Sequence, residues 1–280
     1  MENRILREFI NRCIEEDLGD GDHSSLACIP AGAAGKAKLL IKEPGILAGI
    51  RIAVEILKII DAEINCEILK NDGEKIAIGD TGFIIKGNQQ SILRSERLIL
   101  NVIQRMSGIA TSTDQYVKRV EGTQARILDT RKTSPGMRML EKEAVRIGGG
   151  MNHRMGLYDM IMLKDNHIFY AGSIEKAIEK THEYLQRTGK NLKIEIEAGN
   201  TDDVGRILKY GGIHRIMLDN FNIQDTRKAV EMIGGRYETE SSGGINLETV
   251  RSYAECGVDF ISVGAITHQI KSLDISLEAF

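Results

Sequence analysis

Residues 193–219, KIEIEAGNTDDVGRILKYGGIHRIMLD, carry the pattern that decides the fold of this chain. KIEIE and RIMLD are short apolar β-type segments, and a helical stretch lies between them. Strands that alternate with helices predict a parallel sheet with crossover helices. The same kind of segment recurs in ARILDT (125–130), DMIML (159–163), YETES (237–241) and FISVG (260–264). These strands fit an open doubly wound sheet or a barrel. We favour an irregular α/β barrel, because no GxGxxG motif follows any strand and six units are too few for eight.

The sequence on either side of these strands has a different character. Residues 35–87 read as short strands interrupted by one helix, which predicts an α+β module. A longer helical pattern runs through RSERLILNVIQRM, and Ser107-Gly108 after it is a plausible break. The tail QIKSLDISLEAF looks like a strand that returns to the N-terminal module. We therefore predict one domain from residues 1–108 plus 269–280 and a catalytic barrel from residues 109–268.

Composition limits the classes of partner. The 280 residues are 42% hydrophobic and 28% charged, as in ordinary globular proteins. The net charge of −3 gives no global field toward nucleic acid or membrane, so an anionic ligand needs a local basic cluster. Four scattered cysteines without a metal-like spacing indicate free thiols. With no signal-peptide core and no membrane-length apolar run, we expect a cytoplasmic protein without nucleic-acid or membrane partners.

Polar side chains collect just after the predicted strands. In parallel α/β folds these strand ends share one face, where ligands bind. The loop after ARILDT is strongly basic, and guanidinium groups match carboxylates and phosphates bidentately. Arg138, Lys142 and Arg146 recur in it at helical spacing, which favours a solvated helix face. Four further basic residues flank turns and are the candidate ligand-binding set: Arg131, Lys132, His153 and Arg154.

Two other groups of residues complete the predicted site. Glu197 and Asp219 lie at neighbouring strand ends beside the basic loop, which suggests magnesium held through a polyphosphate, or else ion pairs that fix that loop. Glu195 shares a strand face with Glu197, and the pattern does not choose which of them enters the pocket. Glycine-rich turns end the last two strands and predict a phosphate cradle at Ser242-Gly243-Gly244 and Gly264-Ala265.

Several long segments resemble the quinolinate phosphoribosyltransferases (nicotinate-nucleotide pyrophosphorylase, carboxylating). They are SERLILNVIQRMSGIAT (95–111), ILDTRKTSPGMRMLEKEAVRIGGGMNHRMGLYDMIMLKDNHI (127–168), IMLDN (216–220), SSGGI (241–245) and GVDFISVGAITH (257–268). The resemblance implies an N-terminal α/β sandwich domain and an irregular barrel of seven strands, one more than the pattern yields. It also implies a homodimer. The expected activity is decarboxylating phosphoribosyl transfer from phosphoribosyl pyrophosphate to quinolinate, giving nicotinate mononucleotide, pyrophosphate and CO2 in NAD biosynthesis.

The resemblance also implies a role for each site residue. Glu197 and Asp219 would face the ribose hydroxyls and Mg2+, directly or through the substrate, and Lys132 would be catalytic with them. Arg97 would reach into the active site of the partner subunit. The two quinolinate carboxylates and part of the sugar phosphate would be held by Arg131, Lys132, His153, Arg154 and Lys164. The 5-phosphate would be bound by Ser242, Gly243, Gly244 and Gly264.

Three rival interpretations stay open at this point. Lys164 at a strand end could form a Schiff base, as in an aldolase. A molybdenum-transport-associated homologue shares the fold, although the intact KDNH and NHR motifs argue against it. A catalytically silent phosphoribosyl-binding regulator is the third.

Overall fold

The computed structural model describes residues 2–280, which form two compact units. The first unit consists of three segments of the chain: residues 2–112, Ser134–Gly148 and Ile270–Phe280. The second contains Thr113–Thr133 and Gly149–Gln269. The strands are β1 (Ala34–Ile41), β2 (Gly45–Ile46), β3 (Asn65–Ile68), β4 (Lys75–Ile76), β5 (Thr81–Asn88), β6 (Arg126–Leu128), β7 (Ile161–Leu163), β8 (Ile194–Ala198), β9 (Arg215–Asp219), β10 (Glu238–Ser242), β11 (Phe260–Ser262) and β12 (Ile275–Ala279). The helices are α1 (Glu2–Leu18), α2 (His23–Cys28), α3 (Ile50–Ile60), α4 (Gln89–Arg119), α5 (Arg138–Ile147), α6 (Asp165–Ala171), α7 (Ile174–Thr188), α8 (Thr201–Tyr210), α9 (Ile223–Ile233), α10 (Val250–Ala254) and α11 (Ala265–His268).

The first unit is built on an antiparallel sheet with the strand order β12-β1-β5-β3. Residues of β1 alternate between exposed and buried, as expected for a strand with one face on the core. The C-terminal strand β12 pairs with β1 from Ala37–Ala279 to Ile41–Ile275. The prediction that the tail returns to the N-terminal module is therefore confirmed.

The predicted break at Ser107-Gly108 is wrong, because α4 continues through both residues. The Ser107 hydroxyl accepts a hydrogen bond of 2.9 Å from the Ala48 N–H. A Cβ on Gly108 would lie 3.1 Å from the carbonyl carbon of Lys271 and closer still to its oxygen. These small residues allow close packing against a helix that does not end there.

The predicted solvated face of α5 is wrong for its centre. Lys142 and its neighbour Glu141 are completely buried, and Glu141 accepts a 2.8 Å hydrogen bond from Nε of Arg105. Arg138 is half-buried. Only Arg146 behaves as predicted, because it is exposed and pairs with Glu143 at 3.0 Å. Helical spacing shows that these residues share one face of α5, but the packing around the helix decides whether that face is exposed to solvent.

The second unit contains a six-stranded parallel sheet in the order β6-β11-β10-β9-β8-β7. All six predicted strands are therefore confirmed. Every residue of β8 is buried, as expected for a strand covered on both faces. Leu128 of β6 also forms a parallel bridge with Met151 at that edge of the sheet. The barrel count of seven strands stays a prediction.

Strand register places charged residues next to one another on one face of this sheet. Arg215 is paired with Glu195 on one side and with Glu238 on the other. Because side chains on a strand alternate, Glu197 and Asp219 lie on the same face as these residues, nearer the carboxyl ends. Within residues 2–280, no helix is both long and apolar enough to cross a membrane.

Candidate active site

A cavity of about 830 Å³ lies at the carboxyl ends of the parallel strands in the second unit. Its size is typical of sites for small molecules. Eleven of the predicted site residues line it together: Arg131, Lys132, His153, Arg154, Lys164, Glu197, Asp219, Ser242, Gly243, Gly244 and Gly264. Arg97 is not among the lining residues. It is exposed on α4, in the first unit.

Lys164 and Glu197 form an ion pair at one side of the cavity. The Lys164 Nζ contacts Glu197 Oε1, and the backbone N–H of Asp165 donates to Glu197 Oε2 at 3.2 Å. Glu197 thereby joins the end of β8 to the start of α6. The contact with Glu197 fixes the position of the Lys164 side chain at the cavity wall.

His153 is fixed by two buried carboxylates, on strands β8 and β10, which flank β9 in the sheet. Its Nε2 lies 3.0 Å from Glu195 Oε2 and 3.4 Å from Glu240 Oε2, and all three side chains are nearly inaccessible. The guanidinium of Arg215 lies 2.9 Å from Glu240 Oε2. This His-Glu-Glu arrangement has the donor atoms of a cation site. Arg215 already supplies a cation to it, so we assign the cluster to the support of His153.

The electrostatics of this cluster follow from its burial. Burial disfavours a charged ring, but the Glu195 and Glu240 carboxylates, which accept from the ring and carry negative charge, outweigh it and raise the pKa of His153 to about 9. Burial, followed by the charge of Glu240, raises the pKa of the Glu195 carboxyl. The Arg154 N–H donates to Nδ1 of His153 at 2.6 Å. This bond needs a lone pair on Nδ1, so only the neutral ring with its proton on Nε2 makes it, whereas the two carboxylates favour the charged ring.

The sequence pattern left open which of two glutamates enters the cavity. Glu197 is a lining residue, whereas Glu195 lies below it against His153 and is not a lining residue. The two side chains share a strand face, as predicted, and differ in depth. Glu195 therefore acts on the cavity through His153.

The basic residues of the loop after β6 are held by local contacts. Lys132 donates its N–H to the Thr130 hydroxyl at 3.0 Å, and its carbonyl accepts from the Thr267 hydroxyl at 2.9 Å. Arg154 Nη1 donates to the Met160 carbonyl at 3.2 Å. Burial and the nearby charge of Arg131 lower the pKa of Arg154. The two guanidinium groups therefore concentrate positive charge on one side of the cavity.

Glycine-containing turns form another part of the cavity wall, and Gly264 lies beside Lys132. Gly243 and Gly244 have φ values of +100° and +63°, a region that side chains other than glycine rarely adopt. At Gly264, a Cβ would lie 2.9 Å from Nε2 of His268. Such turns leave the backbone accessible to a ligand, as phosphate cradles require.

The sequence reasoning assigned no role to three further lining residues, Asn220, Glu240 and His268. Glu240 lies two residues before Ser242 on β10, so strand alternation could have identified it. His268 follows Gly264 by one helical turn in α11. Asn220 stands directly after Asp219, but its contacts depend on an unusual backbone conformation that no spacing rule predicts.

Comparison with known proteins identifies both parts of the chain. Residues 22–107 match the family model of the quinolinate phosphoribosyl transferase N-terminal domain, and residues 109–278 match the model of its C-terminal domain. The chain is 42% identical to the decarboxylating quinolinate phosphoribosyltransferase 2 of Nicotiana glauca, over 98% of this chain and 82% of that protein. It is 40% identical to the probable carboxylating nicotinate-nucleotide pyrophosphorylase of Bacillus subtilis (strain 168), over 99% of this chain and 94% of that protein.

Solved structures have the same fold. The crystal structure of NadC from Streptococcus pyogenes superposes with a TM-score of 0.92 at 35% identity, over 98% of this chain and 97% of that chain. The nicotinate-nucleotide pyrophosphorylase from Francisella tularensis gives 0.91 at 37% identity, over 99% and 97%. Both family models and near full-length relatives therefore agree: the chain belongs to the quinolinate phosphoribosyltransferase family.

Proposed function

We propose that this chain transfers the phosphoribosyl group of phosphoribosyl pyrophosphate to quinolinate, releasing pyrophosphate and CO2 and forming nicotinate mononucleotide for NAD biosynthesis. One observation carries the proposal. A single cavity at the strand ends is lined by cationic side chains, by the carboxylates of Glu197 and Asp219, and by glycine-containing turns. That distribution suits a dianionic ring, a ribose and a phosphate in one site.

Quinolinate would be held by the basic side. Its two carboxylates match the planar guanidinium groups of Arg131 and Arg154, with the ammonium group of Lys164 beside them. Its ring nitrogen is a weak nucleophile, so a fixed orientation toward the ribose contributes much of the rate. Lys132 would contact the reacting groups from the loop after β6.

The phosphoribosyl substrate would lie across the carboxylates and the glycine turns. The backbone at Gly243, Gly244 and Gly264 would bind the 5-phosphate, and Asp219 and Glu197 would face the ribose hydroxyls. Bond cleavage at C1 leaves an oxocarbenium-like ribose, as in glycoside hydrolysis. Cations that face the departing pyrophosphate stabilise the charge that develops on it.

The transfer is balanced in two steps. The quinolinate nitrogen forms a bond to ribose C1 while the C1–oxygen bond to pyrophosphate breaks, which leaves a positively charged pyridinium ring. That ring then accepts the electron pair of the bond to the C2 carboxylate as CO2 leaves. A proton from solvent adds to C2. The ring charge makes a dedicated decarboxylating side chain unnecessary.

We also propose Mg2+ as the accompanying ion. Both Glu197 oxygens already accept contacts, from Lys164 and from the Asp165 N–H. Asp219 accepts one hydrogen bond at Oδ2 and has further capacity, so it is the carboxylate that best fits the ion. Magnesium usually takes one or two protein carboxylates together with substrate phosphates. It would neutralise charge on the pyrophosphate.

The protein is further proposed to act as a homodimer in which Arg97 contributes to the site of the other subunit. Arg97 is an exposed cation, which is compatible with such a role. A cytoplasmic location is also proposed. The Nicotiana glauca relative is described as mitochondrial, and a relative from Arabidopsis thaliana as chloroplastic.

The purified protein should form nicotinate mononucleotide from quinolinate and phosphoribosyl pyrophosphate, detected by chromatography and mass spectrometry. Omission of either substrate should abolish the product. Nicotinate lacks the second carboxylate and would leave a cation of the cavity without its substrate partner, so its specificity constant should be at least about a hundredfold lower. Equal specificity constants for nicotinate and quinolinate would refute the proposed binding mode.

A further inference from the structure

Asn220 has a backbone conformation that is rare for its residue class. Its φ is +57°, and it is the one non-glycine residue between positions 2 and 280 with a positive φ. Asparagine tolerates the left-handed region better than most side chains, but glycine would adopt it more easily. Asparagine at a position that suits glycine better indicates that its side-chain amide has a functional role.

The contacts of Asn220 join two parts of the cavity wall. Its Nδ2 donates to Oδ2 of Asp219 at 2.9 Å, and its backbone N–H donates to the Ser242 carbonyl at 2.8 Å. Its side-chain amide also packs directly on Gly243. A Cβ on Gly243 would lie 2.9 Å from the backbone nitrogen of Asn220 and nearer still to its side-chain amide oxygen. One residue thus touches the carboxylate at the end of β9 and the turn at the end of β10.

We infer that Asn220 is a positioning residue that holds the Asp219 carboxylate and the Gly243 turn in a fixed relation, so that one phosphoribosyl group can contact both. This inference rests on the proposed function. The ribose hydroxyls and the 5-phosphate are covalently linked in one small sugar phosphate, which limits the spacing that their binding groups can have. Misplacement of a binding group by about 1 Å can cost about a hundredfold in rate.

Substitutions can separate the amide from the backbone conformation. Asn220→Gly removes the amide and keeps an easily accessible left-handed backbone. Asn220→Ala removes the same amide and adds backbone strain. Asn220→Asp keeps the size of the side chain but loses the donor to Asp219. If the amide positions Asp219, all three variants lose function, whereas only Asn220→Ala should lose stability through strain.

A matched control stands two residues further on. Asn222 is also an exposed asparagine, and its side chain accepts from the Asp225 N–H at the start of α9. It is not a lining residue of the cavity. Asn222→Ala should lower the melting temperature without changing substrate binding, as expected for the loss of a helix cap.

The decisive experiment measures ribose 5-phosphate and inorganic phosphate binding by calorimetry, together with steady-state kinetics. For Asn220→Gly we expect ribose 5-phosphate to bind about tenfold more weakly and kcat/KM for phosphoribosyl pyrophosphate to fall about 10- to 100-fold. Inorganic phosphate binding, the KM for quinolinate and the melting temperature should each stay close to the wild-type values.

The outcomes distinguish this inference from the proposed function. Wild-type ribose 5-phosphate affinity and kinetics in Asn220→Gly would overturn the inference alone, since Asn220 would then serve only the turn. Weakened ribose 5-phosphate binding in a protein that makes no product from quinolinate would support the inference and overturn the proposed function. A wild-type protein that neither binds ribose 5-phosphate nor makes product would overturn both.

Discussion

Nε2 of His153 lies 3.0 Å from Oε2 of Glu195, with both side chains buried beneath a cavity lined with cations. The pair links the cavity to a second layer of charged residues, of which Glu240 also lines the cavity. Glu240 and Arg215 extend that layer, with 2.9 Å between Arg215 Nη1 and Glu240 Oε2. The protonation of His153 therefore bears on the stability of the fold.

The pKa of His153 makes stability depend on pH. Its folded value of about 9 is above the ordinary 6.5, so the contribution is fully present below pH 6.5 and is lost as the pH rises through 9. We expect a loss of about 1 kcal/mol or more across this window, less than the full shift implies, because the bond from the Arg154 N–H to Nδ1 favours the neutral ring. Urea unfolding at several pH values should show it in the wild type, with a smaller decline in His153→Gln. Parallel pH profiles of the two proteins would contradict the assignment.

Arg131 and Arg154 should matter for turnover far more than for stability. Removal of one preorganised charge partner typically costs about 10²–10³ in rate. Steady-state kinetics and thermal melting of Arg131→Ala and Arg154→Ala check this. Arg146→Ala is the control, because Arg146 is exposed on α5, pairs with Glu143 and does not line the cavity. Near-normal activity in both cavity variants would show that Arg131 and Arg154 are surface residues of the loop without a role in turnover.

Turnover should require a divalent metal. Asp219→Asn should raise the magnesium concentration needed for half-maximal activity, because a neutral amide binds the hard cation weakly. Glu197→Gln should raise it less, since Glu197 already pairs with Lys164. Magnesium titrations of the three proteins give the order. Undiminished turnover in excess chelator would show that the reaction does not require a divalent metal.

A side chain at Gly243 should be unfavourable for two reasons that can be separated: the positive φ and the contact with Asn220. Gly243→Ala meets both a φ of +100° and the neighbouring Asn220. Gly122→Ala meets only an unfavourable φ of +79°, with no atom within 4 Å of the added Cβ. Both variants should lose about 1 kcal/mol or more of unfolding free energy. Only Gly243→Ala should also raise the KM for phosphoribosyl pyrophosphate, and an equal KM in both would argue against a phosphate-binding turn.

Arg97 should act in trans. Suppose that Arg97→Ala and Lys132→Ala are each inactive as homodimers. In mixed dimers one site then carries both lesions and the other carries none, by the two-fold symmetry of an isologous dimer. Activity after equal mixing through unfolding and reassembly should approach about one quarter of wild type, since half the dimers are mixed and half their sites intact. No recovery after verified subunit exchange would mean that Arg97 serves its own subunit or none.

The sequence predicts the parallel sheet and most of the cavity because both follow from local periodicity. The alternation of strands and helices identifies β6 to β11, and the strand ends of a parallel sheet must share a face. That rule identifies Asp219, but it leaves open whether Glu195 or Glu197 enters the cavity. The predicted domain boundary between residues 108 and 109 stays a prediction.

Features set by tertiary packing are the ones that the sequence does not reveal. The burial of Lys142 depends on what packs against α5, and its helical spacing is the same in either case. The continuation of α4 through Gly108 depends on the approach of Lys271, which is 163 positions away in the chain. The role of Asn220 depends on a left-handed φ and on contacts to another strand.

The central claim is that carbon–nitrogen bond formation and decarboxylation take place on the same substrate in this cavity. The most direct test supplies quinolinate labelled with ¹³C in the C2 carboxylate, together with phosphoribosyl pyrophosphate, and quantifies all products by NMR and mass spectrometry. The account predicts labelled CO2, unlabelled nicotinate mononucleotide and pyrophosphate in equal amounts. Labelled carbon retained in a nucleotide product, or pyrophosphate released without CO2, would contradict it.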